Sequence, residues 1–88
     1  MSDTSNGHAS GSGEQLVIMA NDIADYFRSQ GKEAAISGIA THIQRYWTPR
    51  MQAKLNAYLA QGHGGLDELP RAAVDLLNRR AAEAQENA

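Results

Sequence analysis

Thr48-Pro49 stands in the middle of a chain whose apolar residues recur at helical spacing, and it fixes a corner that any fold of this sequence must contain. Proline is favoured at the first position of a helix, because its missing N–H has no intrahelical partner there. Threonine is a good N-cap residue immediately before it. One helix therefore ends near Tyr46, another begins at Pro49, and Trp47 lies at the bend between them with its chain direction fixed by the proline.

The rest of the pattern reads as helix, with no convincing strand. Over 14–29, Leu16, Met19/Ala20, Ile23 and Tyr26/Phe27 recur at spacings of three and four and form one apolar stripe. Asp22, Asp25 and Arg28 fall mainly outside it, and Gly31 punctuates the end. Over 33–46, Ile36, Ile39/Ala40, Ile43 and Tyr46/Trp47 give the same stripe. Gly38 inside this second helix costs about 1 kcal/mol relative to alanine, so a close approach by the first helix or by a partner is expected there. The third helix carries Met51, Leu55 and Tyr58/Leu59 and stops at Gln61-Gly62-His63-Gly64-Gly65. The fourth starts near Asp67, a plausible N-cap, with Pro70 in its first turn and Leu69, Ala73 and Leu76/Leu77 as its stripe, and Leu66 is placed to pack back across the turn. Arg79 and Arg80 lie towards its C-terminal end, where cations complement the helix dipole. The expected fold is all-α: an antiparallel helical hairpin, a Pro-initiated third helix and a looser C-terminal helix.

Three stretches follow from composition. Residues 1–13 contain four Ser and three Gly, with Ala9 the only aliphatic residue after Met1. Such a segment buries too little apolar surface to offset its ordering entropy and reads as a disordered tail. It also lacks the apolar run and cleavage pattern of a signal peptide. Residues 14–80 form the helical domain, and 81–88 read as a frayed tail. A core of this size supplies only about 3–5 kcal/mol, so small domains usually need a disulfide, a metal or a partner. The chain has no Cys and three scattered His, which leaves a partner chain as the expected staple. No apolar run approaches the ~18 residues of a membrane span.

Candidate chemistry is sparse. Asp22 and Asp25 are paired carboxylates, but they sit on a face that reads as solvated, and Asp25 makes an i,i+3 pair with Arg28. Neither His42 nor His63 has a second ligand at helical spacing on its own segment. The Gly-rich 61–65 stretch lacks the Lys-Ser/Thr ending of a phosphate loop and reads as a linker. Arg45, Arg50 and Lys54 gather around a helix–turn–helix, and Arg50, Gln52, Lys54 and Asn56 would be the base-reading positions of a small DNA-binding regulator. A net charge of -2, from 8 basic and 10 acidic residues, argues against that reading. The segment Tyr46-Trp47-Thr48-Pro49-Arg50-Met51 is different. It holds the only Trp, with Tyr, Arg and Met beside it, and these residue types are enriched at the centres of protein–protein interfaces. The alternative for Trp47 is a core role at a helix corner. No nucleophile–base pair marks the chain as an enzyme.

The same residues carry a family resemblance. Met19-Ala20-Asn21-Asp22-Ile23-Ala24-Asp25-Tyr26-Phe27 is similar to the opening block of the delta subunit of NAD-dependent, molybdenum-containing formate dehydrogenases. Ile39-Ala40-Thr41-His42-Ile43-Gln44-Arg45-Tyr46-Trp47-Thr48-Pro49-Arg50-Met51 resembles that family's second block, with Thr48 where Asp is common and the capping chemistry kept. The resemblance runs from about Leu16 to Leu77. It implies a non-catalytic accessory subunit of a soluble, cytoplasmic, bacterial complex that oxidises formate and passes electrons to NAD. The large subunits of that complex carry the molybdenum cofactor, iron–sulfur clusters and FMN, and this chain holds none of them. The expected partner is the large molybdenum-containing subunit, with no nucleic acid and no membrane involved, and the role is assembly, stability or cofactor loading. The expected centre of contact is Tyr46, Trp47, Pro49, Arg50 and Met51, supported by Asn21 through backbone or partner hydrogen bonds. The alternative is a dissociable maturation chaperone of a molybdoenzyme.

Overall fold

The computed structural model describes residues 12–86, which form four α-helices and no strand. They are α1 (Gly13–Phe27), α2 (Lys32–Tyr46), α3 (Pro49–Ala60) and α4 (Glu68–Glu86), with one 3-10 turn, Arg28–Gln30, after α1. The fold is a small all-α domain, as the periodicity predicts. The expected tail over residues 1–11 and the last two residues lies outside the described part.

Helix boundaries follow from caps. Ser12 Oγ accepts from the Gln15 N–H at 3.0 Å, so α1 opens at Gly13. The sequence reading counts Ser12 and Gly13 with the tail. They join the helix because serine satisfies a free helical N–H, and because the ring of Tyr58 lies where a Cβ on Gly13 would be. Gly31, with φ 96°, makes the turn into α2 in a backbone conformation that a side chain disfavours. Thr48 Oγ1 accepts from the Met51 N–H at 3.1 Å and Pro49 opens α3, as expected from the Thr-Pro pair. At the start of α4 the Asp67 carbonyl accepts from the Arg71 N–H at 3.0 Å, and the Asp67 carboxylate lies 3.8 Å from Arg28.

α1 and α2 fold back on each other. α3 packs mainly against α1 and α4 mainly against α2. The seam is lined by Leu16, Ala20 and Ala24 on α1 and by Ala35, Ile39, Ala40 and Ile43 on α2, all completely or almost completely buried. The larger apolar residues of the predicted stripes, Met19, Ile23, Phe27 and Ile36, flank this seam and are half-buried. α3 contributes Leu55, and α4 contributes Ala73 and Val74 with Pro70. Leu66 packs back into the core from the α3–α4 connection, as its position before the helix implies. α4 then continues past Arg80 to Glu86, with Ala81 to Glu86 exposed. Good helix formers extend the hydrogen-bonded ladder here, outside the core.

Polar side chains tie the helices at their ends. Asn21 on α1 donates from Nδ2 to the Gly65 carbonyl at 2.9 Å and accepts from the Asp67 N–H at 2.9 Å. One amide thus holds both edges of the α3–α4 connection. Asn56 and Asn78 exchange amide hydrogen bonds at 3.1 and 3.2 Å between α3 and α4. Arg80 donates to Gln44 Oε1 at 3.2 Å, linking α4 to α2. The ion pairs Arg28–Asp25, Arg28–Asp67 and Lys32–Glu68 are all solvent-exposed, and exposed pairs contribute little.

Candidate interaction surface

The Tyr46–Met51 corner divides into an inner and an outer half. Helix α2 ends at Tyr46, and Trp47 turns to extended backbone (φ -92°, ψ 139°) while its N–H still donates to the Ile43 carbonyl at 2.9 Å. That one change of direction sends the indole inward. Trp47 is 6% exposed and lies with Leu55, Val74 and Leu77 around a small cavity where α2, α3 and α4 meet. Its carbonyl accepts from Gln52 Nε2 at 3.3 Å. Met51 is half-buried against the same core. Tyr46, by contrast, is 70% exposed, and Pro49 and Arg50 are exposed beside it. Asn21 is not at this corner. Its amide is occupied by the Gly65 carbonyl and the Asp67 N–H, so it positions the chain internally.

Tyr46 belongs to a second group that the sequence reading leaves divided between two helices. Tyr26, Phe27, His42 and Tyr46 form a continuous row of rings across α1 and α2. Tyr26 meets Phe27 edge-on at 5.1 Å between centroids, Phe27 meets His42 at 6.3 Å, and His42 meets Tyr46 at 4.8 Å. Phe27 and His42 are half-buried and form the floor, and Tyr26, 76% exposed, stands at one rim with Tyr46 at the other. Gly38 lowers the floor. A Cβ there would come within 2.7 Å of the Phe27 ring, so the ring rests on bare α2 backbone, which is the close approach expected of a glycine in mid-helix. The signal for this surface was present in the adjacent aromatics Tyr26-Phe27 and Tyr46-Trp47. Neighbouring positions on a helix point about 100° apart, and here Tyr26 turns outward where Phe27 packs inward, as Tyr46 does beside Trp47.

Several of the remaining candidates have structural partners. Asp25 pairs with Arg28 at 3.1 Å, as its spacing predicts. His63 stacks on Tyr58 at 4.3 Å with the rings 17° from parallel. Of the four positions considered for reading bases, Gln52 is used by the Trp47 carbonyl and Asn56 by Asn78. Among the described residues no three His, Asp or Glu side chains gather as a metal site would require. No helix there is long and apolar enough to cross a membrane.

The family model described as NADH-dependant formate dehydrogenase delta subunit FdsD matches residues 15–74. No curated protein and no solved structure matches the chain. The matched span runs from the first turn of α1 into α4 and includes the corner, the ring row and the Asn21 clamp. The chain belongs to the NADH-dependant formate dehydrogenase delta subunit family.

Proposed function

We propose that this chain is a non-catalytic accessory subunit of a cytoplasmic NAD-dependent formate dehydrogenase, and that it docks on the large molybdenum-containing subunit to support assembly, stability or cofactor loading. The molybdenum centre, iron–sulfur clusters and FMN belong to other subunits of that complex, and this chain contributes surface rather than redox chemistry. Family membership supplies the complex. The observation that carries the docking role is the pair of exposed tyrosines, Tyr26 and Tyr46, over a half-buried floor of Phe27 and His42. The domain buries Trp47 and half-buries Phe27 and Tyr58 but leaves Tyr26 and Tyr46 exposed, and tyrosine is enriched at interface hot spots. Tyr46, Pro49, Arg50 and the accessible part of Met51 extend the contact around the corner. Trp47 holds that corner from beneath, and Asn21 fixes α1 to the α3–α4 connection behind it.

Purification of active enzyme through a tag on this chain tests the role. A stoichiometric, molybdenum-containing complex with formate:NAD activity is the expected eluate. Recovery of a molybdenum-free large subunit alone, with the chain missing from the active enzyme, would replace this reading with that of a dissociable maturation chaperone.

A further inference from the structure

Charge is unevenly placed along this chain. Residues 34–66 hold three of its 8 basic residues, Arg45, Arg50 and Lys54, and none of its 10 acidic ones. The fold keeps these cations around one corner. Arg45 lies in the last turn of α2 beside exposed Tyr46, and Arg50 lies in the first turn of α3, just past Trp47. Lys54 is one turn further along α3, on the same face as Arg50. All three are exposed. α4 packs along α2 and brings Arg80 to the same end, where it donates to Gln44 Oε1 at 3.2 Å. The ion pairs among the described residues lie at the other end, where α1 turns into α2 and α4 begins: Arg28–Asp25, Arg28–Asp67 and Lys32–Glu68. We infer that the basic end, centred on Tyr46, docks on a carboxylate-rich surface of the large subunit. The inference rests on the accessory-subunit reading and specifies the chemistry of its partner.

The sign and position of the charges choose this partner surface. Arg45 complements the dipole of α2, but Arg50 opposes that of α3, whose first turn holds no acidic residue. The charge of Arg50 therefore does not stabilise its own helix, and it faces solvent beside an exposed tyrosine. Arginine and tyrosine are residue types that carry binding energy at interfaces. Glu83, the first carboxylate after Arg80 on α4, lies on the exposed extension and forms no ion pair among the described residues. An acidic patch facing this end meets cations from three helices, and such complementarity steers encounter and fixes orientation. A long polyanion such as duplex DNA fits less well. Outside residues 34–66 acidic residues outnumber basic ones, so the rest of the molecule repels it, whereas a local acidic patch touches only the basic end.

The experiment measures binding of the full-length chain to the isolated large subunit, with Arg45→Glu and Arg50→Glu as variants and circular dichroism as the check on folding. Arg71→Glu is the control, because it makes the same change in net charge on an exposed position near the start of α4. Arg50→Glu removes an unfavourable charge from the start of α3, so a folded variant is expected. Arg45→Glu and Arg50→Glu are each expected to weaken binding at least about tenfold, and Arg71→Glu to leave it unchanged. Raising salt is expected to weaken the wild type more than Arg50→Glu. Unchanged affinity in both Arg45→Glu and Arg50→Glu, or an equal loss in Arg71→Glu, would overturn the basic-end assignment and leave the accessory-subunit reading intact. No binding by the wild type would overturn that reading itself. Tight binding of duplex DNA at physiological salt, lost in Arg50→Glu, would assign the basic end to nucleic acid and overturn the inference. A free chain that sediments as a dimer, and becomes monomeric on Arg50→Glu, would assign it to the acidic end of a second copy with the same consequence.

Discussion

Asn21 shows how one side chain can do work that its position in a sequence motif does not reveal. It reads as a polar residue near an interface block, and its expected hydrogen bonds to backbone are present, but they close the chain on itself. Its two bonds, each 2.9 Å, fasten the Gly-rich connection to α1. Asn21→Ala is therefore expected to cost about 1 kcal/mol, the net worth of hydrogen bonds whose partners can turn to water. Asn21→Asp should not restore the clamp, because it keeps an acceptor for the Asp67 N–H but sets a carboxylate oxygen against the Gly65 carbonyl. Urea denaturation of both variants is the check, and a midpoint unchanged in Asn21→Ala would deny the clamp. Gly38 is the second residue of this kind. Alanine gains about 1 kcal/mol in helix propensity, and overpacking costs about 1–3 kcal/mol. The Phe27 ring is half-buried and free to swing out, so the net stability change in Gly38→Ala is expected to stay within about 1 kcal/mol. The change should appear instead in the floor of the ring row, as a loss of the ring-current shifts that Phe27 imposes on His42 in the NMR spectrum. Intact shifts would mean the ring does not rest on Gly38.

At the level of elements, helices were the most legible feature of the chain. Spacing of three and four between apolar residues sets their existence, and the Thr48-Pro49 pair sets the one internal boundary that local chemistry fully determines. Legibility fails where tertiary contact decides. The stripe on α1 includes Leu16 and Ala20, which are fully buried, but also Met19, Ile23 and Phe27, which are only half-buried, and it leaves out Ala24, which is fully buried. Gly13 reads as tail because its contribution depends on Tyr58, far along the chain, and the local cap from Ser12 is hidden by the Ser- and Gly-rich composition around it. The end of α4 errs in the other direction. Ala81 to Glu86 has no apolar stripe and falls outside the domain as read from sequence, and α4 runs on through it on an exposed path. Removing residues 81–88 is accordingly expected to change stability by no more than about 0.5 kcal/mol, as for surface changes away from packed features. A larger loss on thermal or urea unfolding would show that this end packs against the domain.

For the whole molecule, the corner segment combines two roles that its sequence could not separate. Trp and Tyr stand side by side in Tyr46-Trp47 and both residue types suit an interface, but a single turn of extended backbone after Tyr46 puts one in the core and the other on the surface. Trp47→Ala should cost about 3–5 kcal/mol, comparable with what a core of this size supplies. The expected result is loss of the cooperative unfolding transition in the free chain, so this variant reports on folding and not on contact. A cooperative transition retained near the wild-type midpoint would contradict the core assignment. Docking through the α1–α2 face is tested most directly without substitutions, by hydroxyl-radical footprinting of the free chain and of the chain within the active formate dehydrogenase complex. Tyr26 and Tyr46 are expected to react readily in the free chain and to be protected in the complex, with the Tyr58 signal unchanged. Protection confined to Tyr58 and His63, with Tyr26 and Tyr46 equally reactive in both states, would place the partner on the opposite end of the molecule and contradict docking through the ring row.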